Sequence, residues 1–268
     1  MPLVDRGRHA LHYESIGKAD NPPVLLIMGL ALSSRAWDRL PELLSRDFHV
    51  LAFDNVGTGK SARRGFVYRM RDLADDARAV LDHAGVASAH VFGISMGGMI
   101  AQELALRHPE RVRSLALGCT FASWRKATAP SRSTKLDLLL LNVGFVTPGR
   151  IARVLVSAEW HAAHPHGALQ WLRRAERTAL RFATAQVLAI ARHHTLDRLT
   201  RIRAPTLVLT GSADKLVPPA NSEVLARAIP GARLVMLEGA GHVFPLEREE
   251  ETVRLLREHF LGTAAAQK

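Results

Sequence analysis

Short apolar runs without polar alternation recur along this chain, and stretches with helical spacing separate them. Strands of this kind are buried on both faces, as in a mostly parallel sheet that helices cover on either side. The sequence therefore predicts an α/β fold with a mostly parallel central sheet flanked by helices. The runs lie at residues 23–29, 49–54, 89–94, 112–118, 206–211 and 232–239, and a further strand-like stretch lies at 9–17.

The alternation is interrupted once. Between residues 121 and 200 the strand pattern stops, and Arg-rich and Leu-rich helical stretches take its place, among them one that runs from Gly167 to His194. The strand pattern resumes shortly after residue 201. We therefore expect residues 1–120 and 201–268 to form the α/β core, and residues 121–200 to form an inserted helical cap or lid over the carboxyl edge of the sheet.

Composition narrows the class of protein further. A chain of 268 residues can bury a sizeable core, and its lone cysteine, Cys119, cannot form an internal disulfide, so we expect a buried thiol. The charged N-terminal stretch contains no apolar leader, and no run of about 18 apolar residues occurs that could cross a membrane. These features predict a soluble, cytoplasmic protein without an integral membrane segment.

The positive charge is concentrated in the predicted cap. The net charge is +11, and residues 121–200 contribute most of it, with 12 Lys and Arg against 4 Asp and Glu. No recognition motif or interleaved aromatic pattern accompanies this charge, so no nucleic-acid partner is expected. A solvated Arg-rich face explains the charge better than a preference for acidic substrates or anionic interfaces.

One segment combines a strand, a glycine-rich turn and a helix. In "HVFGISMGGMIAQ", the pattern Gly93-Ile94-Ser95-Met96-Gly97 is G-x-S-x-G, and it lies between a predicted strand and a predicted helix. Glycines at these positions allow a strained turn that would expose the Ser95 hydroxyl at the sheet edge. Backbone amides at the helix N-terminus would favour negative charge beside it. Ser95 is therefore a candidate nucleophile.

A serine needs a base, and the base needs a group that orients it. Asp214 follows the strand "TLVLTG", and His242 follows the strand "ARLVMLEG" in the turn before the last helix. Both residues therefore emerge at the carboxyl ends of strands, the same edge as Ser95, where α/β sheets place their chemistry. Ser95, Asp214 and His242 are the predicted catalytic residues.

These three residues in this order resemble the α/β-hydrolase superfamily over nearly the whole chain. The segments "GISMGGMIAQELALRHPERVRSLAL", "PTLVLTGSADKLVP" and "GAGHVFPLE" look like its nucleophile elbow, acid loop and histidine loop. The resemblance implies an oxyanion hole formed by the backbone amides of Met96 and Leu30. Many relatives have His-Gly before the second donor, whereas this chain has Met28-Gly29.

A second departure from the family pattern lies in "FDNVGTGKS", where Val56 replaces a frequent Arg. We interpret Asp54, Gly57, Gly59 and Ser61 in this segment as residues that shape the loop, and Asp214 as a better candidate for the catalytic acid than Asp54.

The resemblance favours a carboxylic ester hydrolase of the serine esterase type, with a small-molecule ester substrate, an acyl-enzyme intermediate and no cofactor. A serine nucleophile argues against haloalkane dehalogenases and epoxide hydrolases, which use Asp. A lactonase, a carbon–carbon bond hydrolase and a cofactor-free perhydrolase would share the same triad and stay open. A non-catalytic, receptor-like member that binds a ligand in the pocket is a further alternative.

Several other residues carry weaker predictions. Met28, Trp160, Trp171 and Val243 are candidate pocket residues. His161, His164 and His166 are close enough in sequence to raise a metal site, but Pro165 interrupts them, and no metal is expected. We expect His193 and His194 to act as cations at a helix C-terminus. The natural substrate and the oligomeric state stay open.

Overall fold

The strands form one mixed sheet. The computed structural model describes residues 3–7, 9–61, 68–142, 147–175 and 178–265. Within them, the strands are β1 (Leu3–Asp5), β2 (Ala10–Ile16), β3 (Pro23–Ile27), β4 (His49–Phe53), β5 (Ala89–Ile94), β6 (Val112–Gly118), β7 (Thr206–Gly211) and β8 (Arg233–Leu237). Their spatial order is β1-β2-β4-β3-β5-β6-β7-β8.

In this spatial order, each neighbouring pair from β4 through β3 to β8 is parallel. Among the described strands, the β1–β2 and β2–β4 pairs are antiparallel. Every residue of β4, β5 and β7 is buried, which explains why these strands lack polar alternation. The predicted fold class is confirmed. Because the parallel strands share one direction, the loops after β3, β5, β6, β7 and β8 all leave the same edge.

Helices connect the strands and cover the sheet. They are α1 (Leu40–Leu44), α2 (Met70–His83), α3 (Met96–Arg107), α4 (Arg132–Asn142), α5 (Pro148–Leu155), α6 (Ala158–Ala163), α7 (Gly167–Arg174), α8 (Leu180–Ala191), α9 (Ala220–Ala228), α10 (Phe244–Glu247) and α11 (Glu249–Ala265). Two apolar clusters result: α2, α3 and α9 contribute to one, and α1, α7 and α11 to the other. None of the helices within the described residues combines the length and the apolar character of a membrane span.

The segment between β6 and β7 is helical and contains α4 to α8. The helical stretch from Gly167 to His194 contains two helices in the structure, α7 and α8. Hydrogen bonds to the core accompany the break: the Ser33 amide donates to the Ala175 carbonyl at 3.1 Å, and the Thr178 amide donates to the Ala31 carbonyl at 3.2 Å. Contacts with the loop after β3 thus take up backbone groups beside the break.

β5 contains a buried histidine, His90, that we expect to make folding sensitive to acid. The side chain of His90 is almost fully buried, its Nδ1 shares a hydrogen bond with Ser114 Oγ at 2.8 Å, and its ring stacks on Phe260. Burial, with a smaller contribution from nearby cationic groups, lowers the pKa of His90 to about 4. His90 is therefore neutral in the folded protein at pH values where an unfolded chain would protonate it.

We expect His90→Asn to reduce the acid sensitivity of folding. As the pH falls from about 6.5 to about 4, protons bind the unfolded chain first, so this one histidine lowers the free energy of unfolding by up to about 1.4 kcal/mol per pH unit. Urea titrations at pH 7, 6, 5 and 4.5 measure that slope. The exposed His166→Asn variant should keep the wild-type slope, and an equal slope in both variants would contradict the assignment.

Candidate active site

Ser95 occupies a strained turn between β5 and α3. Its φ of 56° and ψ of −121° lie in a region that a residue with a side chain rarely adopts. The Ser95 amide donates to the Gly118 carbonyl at 2.8 Å, and the Ser95 carbonyl accepts from Thr120 Oγ1 at 2.7 Å. These bonds to the residues after β6 hold the turn. Ser95 is partly exposed, although its neighbours on both sides are buried.

Two glycines allow this turn to approach the sheet. A Cβ atom on Gly93 would overlap the Gly97 carbonyl, and a Cβ atom on Gly97 would overlap the Ile27 carbonyl at the end of β3. Glycine is therefore required at both positions by close backbone packing. The result places the N-terminus of α3 directly against the end of β3.

The loop after β3 lies beside the serine. A Cβ atom on Gly29 would lie 3.3 Å from Ser95 Cβ and 3.8 Å from Ser95 Oγ. The preceding carbonyl, that of Met28, accepts a hydrogen bond from Asn55 Nδ2 at 2.9 Å, and Asn55 is buried. Leu30 is the next residue of this loop.

Asp214 and His242 form a buried hydrogen-bonded pair. His242 Nδ1 lies 2.8 Å from Asp214 Oδ2, and both residues are at most 5% exposed. The other carboxylate oxygen, Oδ1, accepts the amides of Leu216 at 2.8 Å and Val217 at 2.9 Å. A proton on Nδ1 that is donated to this carboxylate leaves Nε2 of His242 as an acceptor.

Cys119 connects the serine turn to this pair. It follows Gly118, the residue that accepts the Ser95 amide, and its Sγ, a carboxylate oxygen of Asp214 and a ring nitrogen of His242 lie within 4.8 Å of one another. Burial, together with the negative charge of Asp214, raises the pKa of the Cys119 thiol well above its ordinary value. The thiol therefore stays protonated, as a buried neutral neighbour of the carboxylate, and the predicted burial of Cys119 is confirmed.

Asp54 holds the loop after β4. Its Oδ1 accepts the Ser34 amide at 2.7 Å, and its Oδ2 accepts the Lys60 amide at 2.9 Å. Its carbonyl also accepts Ser61 Oγ at 2.6 Å. Both carboxylate oxygens are thus engaged by backbone amides, which is the arrangement of a loop-shaping residue.

The candidate pocket residues occupy several environments. Met28 and Val243 are buried, and Val243 donates its amide to the Leu155 carbonyl at 3.0 Å. Trp171 is buried, and its indole N–H donates to the Ala36 carbonyl at 2.9 Å. Trp160 is partly buried and stacks on His164. Their contact with a substrate stays a prediction.

The expectation that His193 acts as a helix-terminal cation is wrong. His193 is 4% exposed, and burial lowers its pKa to about 3, so the ring is neutral near pH 7. The signal missed in the sequence was tertiary: Phe121 and the segment after β6 cover this end of α8. His194 is exposed, and its Nε2 lies 2.7 Å from Asp197 Oδ2.

The three clustered histidines do not converge. His161 and His164 lie on α6 and at its end, and His166 lies in the turn after it. Within the described residues, their ring nitrogens are not part of a group of three potential metal ligands. Cys119, Asp214 and His242 do form such a group, but Asp214 and His242 are already hydrogen-bonded to each other.

Sequence reasoning missed Thr120 as a support for Ser95. Its hydroxyl bonds the Ser95 carbonyl, and its side chain would also contact a Cβ atom on Gly98. Its position two residues after β6, the strand next to β5, was the available signal.

Known proteins share the fold of this chain. A family model described as alpha/beta hydrolase fold matches residues 22–249. The chain is 34% identical to "Putative carbamate hydrolase RutD" of Pseudomonas syringae pv. syringae, over 91% of this chain and 95% of the relative. It is 32% identical to rhodomycin D methylesterase DauP of Streptomyces sp. (strain C5), over 96% and 97%. A thermophilic esterase from Thermogutta terrifontis, bound to malate, superposes with a TM-score of 0.84 at 26% identity and covers 98% of both chains.

The serine turn yields a prediction about stability. Gly97→Ala should lower the free energy of unfolding by at least about 2 kcal/mol, because the new methyl group forces α3 away from the Ile27 carbonyl. Gly262→Ala, in α11, has open space and should be neutral or stabilising by up to about 1 kcal/mol. Urea denaturation followed by circular dichroism compares the two. Equal stability in both variants would refute the close packing.

Proposed function

Because this chain belongs to the α/β-hydrolase fold family, we propose that it is a serine hydrolase that cleaves carboxylic esters through an acyl-enzyme intermediate. The observation that carries the proposal is the buried Asp214–His242 hydrogen bond at the sheet edge where the strained turn presents Ser95. A strained serine, an oriented imidazole and a buried carboxylate are the elements of acyl transfer.

In the proposed reaction, Ser95 Oγ attacks the ester carbonyl while His242 Nε2 takes the hydroxyl proton. The tetrahedral intermediate then collapses, and the imidazolium returns that proton to the departing alcohol. Water, deprotonated by His242, then attacks the acyl-enzyme; the bond between the acyl carbon and Ser95 Oγ breaks, the imidazolium returns the proton to Oγ, and the acid is released. Asp214 holds the imidazole orientation and stabilises its positive charge throughout.

The proposed oxyanion hole consists of the amides of Met96 and Leu30. Met96 begins α3, where backbone N–H groups lack helical partners and attract negative charge. Leu30 follows Gly29, which lies against Ser95. Since both donors are backbone groups, Met28 in place of the family's frequent His leaves them available.

We further propose that residues 121–200 form the cap and roof the substrate pocket. Two contacts with site loops support this: the Leu155 carbonyl accepts the amide of Val243, next to His242, and the Ala175 carbonyl accepts the amide of Ser33. Met28, Trp160, Trp171 and Val243 remain the candidate pocket residues. A cytoplasmic location and the absence of a cofactor also remain predictions.

A carbamate substrate is a second candidate, favoured by the 34% identity to the relative named as a carbamate hydrolase. The same nucleophile and oxyanion hole would serve a carbamate carbonyl, whose leaving group differs. Lactone, carbon–carbon and peracid chemistry also use this machinery, so substrates must distinguish them.

The first test is a substrate panel. We expect wild-type enzyme to hydrolyse p-nitrophenyl acetate, butyrate or octanoate, and Ser95→Ala to lose at least about 10³-fold in kcat. Parallel assays with a γ-lactone and an N-alkyl carbamate rank the alternatives. Absence of turnover of every ester, or equal turnover by Ser95→Ala, would overturn the proposal.

The acyl-enzyme has its own signature. With methanol as a competing acceptor, esters that share one acyl group should give the same ratio of acid to methyl ester whatever their leaving group, because all pass through one intermediate. A ratio that varies with the leaving group would exclude a common acyl-enzyme.

The role of Asp214 has a matched control. Asp214→Asn should lower kcat by about 10⁴-fold, since an amide no longer holds the reactive imidazole tautomer. Asp197→Asn removes the carboxylate from a second Asp–His pair, with His194, that is exposed and outside the site, and should leave kcat unchanged. Both variants are assayed on the best ester of the panel, with circular dichroism to verify folding.

A further inference from the structure

Residues of the segment between β6 and β7 form hydrogen bonds with the loop that follows β3. We propose that one of them, Gln186 of α8, is a positioning residue for the oxyanion hole. The inference rests on the proposed function, in which the Leu30 amide binds the oxyanion. It adds that a side chain of the insertion fixes the peptide next to that donor. The hydrolysis reaction thus depends on a residue with no place in the catalytic triad.

Gln186 is fully buried and bonds two core loops. Its Oε1 accepts the amide of Ala31 at 2.9 Å, and its Nε2 donates to the Val56 carbonyl at 3.3 Å. On the other side, the Thr178 amide donates to the Ala31 carbonyl at 3.2 Å. Both backbone polar groups of Ala31 are therefore bonded to residues of the insertion.

Ala31 needs such support because its backbone is strained. Its φ is 59°, in the left-handed region that favours glycine. Residues with side chains stay in that region only where surrounding contacts hold them there. The hydrogen bond from the Ala31 amide to Gln186 is one of those contacts, and its loss frees the segment to relax.

A change in the backbone conformation of Ala31 would displace the proposed oxyanion donor, the amide of the preceding residue, Leu30. The peptide plane that carries the Ala31 amide also carries the Leu30 carbonyl, so Gln186 orients the plane on one side of Leu30. Gly29, on the other side, lies against Ser95. An oxyanion donor acts only within a narrow distance and angle of the developing charge, and a displacement of about 1 Å can cost about 100-fold in rate.

The chain offers a matched control in Gln102 of α3. Gln102 is also fully buried and also makes two hydrogen bonds: its Nε2 donates to the Phe121 carbonyl at 3.1 Å, and its Oε1 accepts Thr195 Oγ1 at 2.6 Å. It makes no contact of this kind with Ala31. If the hydrogen bonds of Gln186 contributed only to stability, the loss of these bonds at either glutamine should have the same effect on kcat.

The experiment compares Gln186→Met with Gln102→Met, each of which keeps the side-chain length and removes the hydrogen bonds. We expect Gln186→Met to lose about 10- to 100-fold in kcat with KM changed less than about threefold, because a transition-state interaction is weakened. Gln102→Met should keep kcat within about threefold. Urea denaturation should show similar losses of stability in both.

An oxyanion probe separates positioning from general damage. A trifluoromethyl ketone adds to Ser95 Oγ, its carbonyl electrons move to the oxygen, and the hydroxyl proton passes to His242. Its inhibition constant should rise for Gln186→Met in parallel with the loss in kcat/KM, and stay near wild type for Gln102→Met. If Gln186→Met does not fold, Gln186→Asn, which retains the amide but is too short to reach Ala31, takes its place.

Amide hydrogen exchange distinguishes the failure of this inference from failure of the proposed function. Residues 29–32 should lose protection in Gln186→Met and keep it in Gln102→Met, whether or not the wild type hydrolyses esters. Inactive wild-type enzyme with this exchange pattern would overturn the ester hydrolase proposal alone. Active wild type with unchanged kcat and inhibitor affinity in Gln186→Met would overturn the positioning role.

Discussion

The approach of α3 to the end of β3 is the constraint on which the site depends. Gly97 packs against the Ile27 carbonyl so closely that no side chain fits between them. This contact fixes the start of α3, and with it Ser95 and the Met96 amide, relative to the loop that contains Leu30. A nucleophile and two amides from different elements can converge only if that separation is short and rigid.

The remaining site residues follow from the parallel sheet. Because β5, β6, β7 and β8 run in the same direction, the segments after them reach one edge, and Gly118 and Cys119 lie between the serine turn and the Asp214–His242 pair. Both oxygens of Asp214 accept hydrogen bonds, from two backbone amides and from His242 Nδ1, and these bonds stabilise the buried carboxylate.

The fold was largely predictable from sequence because its signals are local. Buried parallel strands lack polar alternation, and the G-x-S-x-G turn, Asp214 and His242 each follow a strand end that the apolar runs mark. The break between α7 and α8 and the neutral state of His193 could not be predicted, because both arise from contacts with segments distant in sequence. The role of Gln186 could not be predicted either, because its position in a helical pattern does not indicate that its side chain accepts a hydrogen bond from the Ala31 amide.

The two hydrogen bonds of the Ala31 backbone also limit how the segment between β6 and β7 can be exchanged among α/β hydrolases. Exchange of the inserted segment between relatives is an obvious way to change substrate range, yet residues 178–186 satisfy the amide and the carbonyl of a strained residue in the core. A chimera that imports a foreign insertion must therefore bring an acceptor and a donor at the same places, or else replace the loop after β3 together with it. In this chain, hydrogen bonds join residues 178–186 to the loop after β3, so the two segments have to be exchanged together.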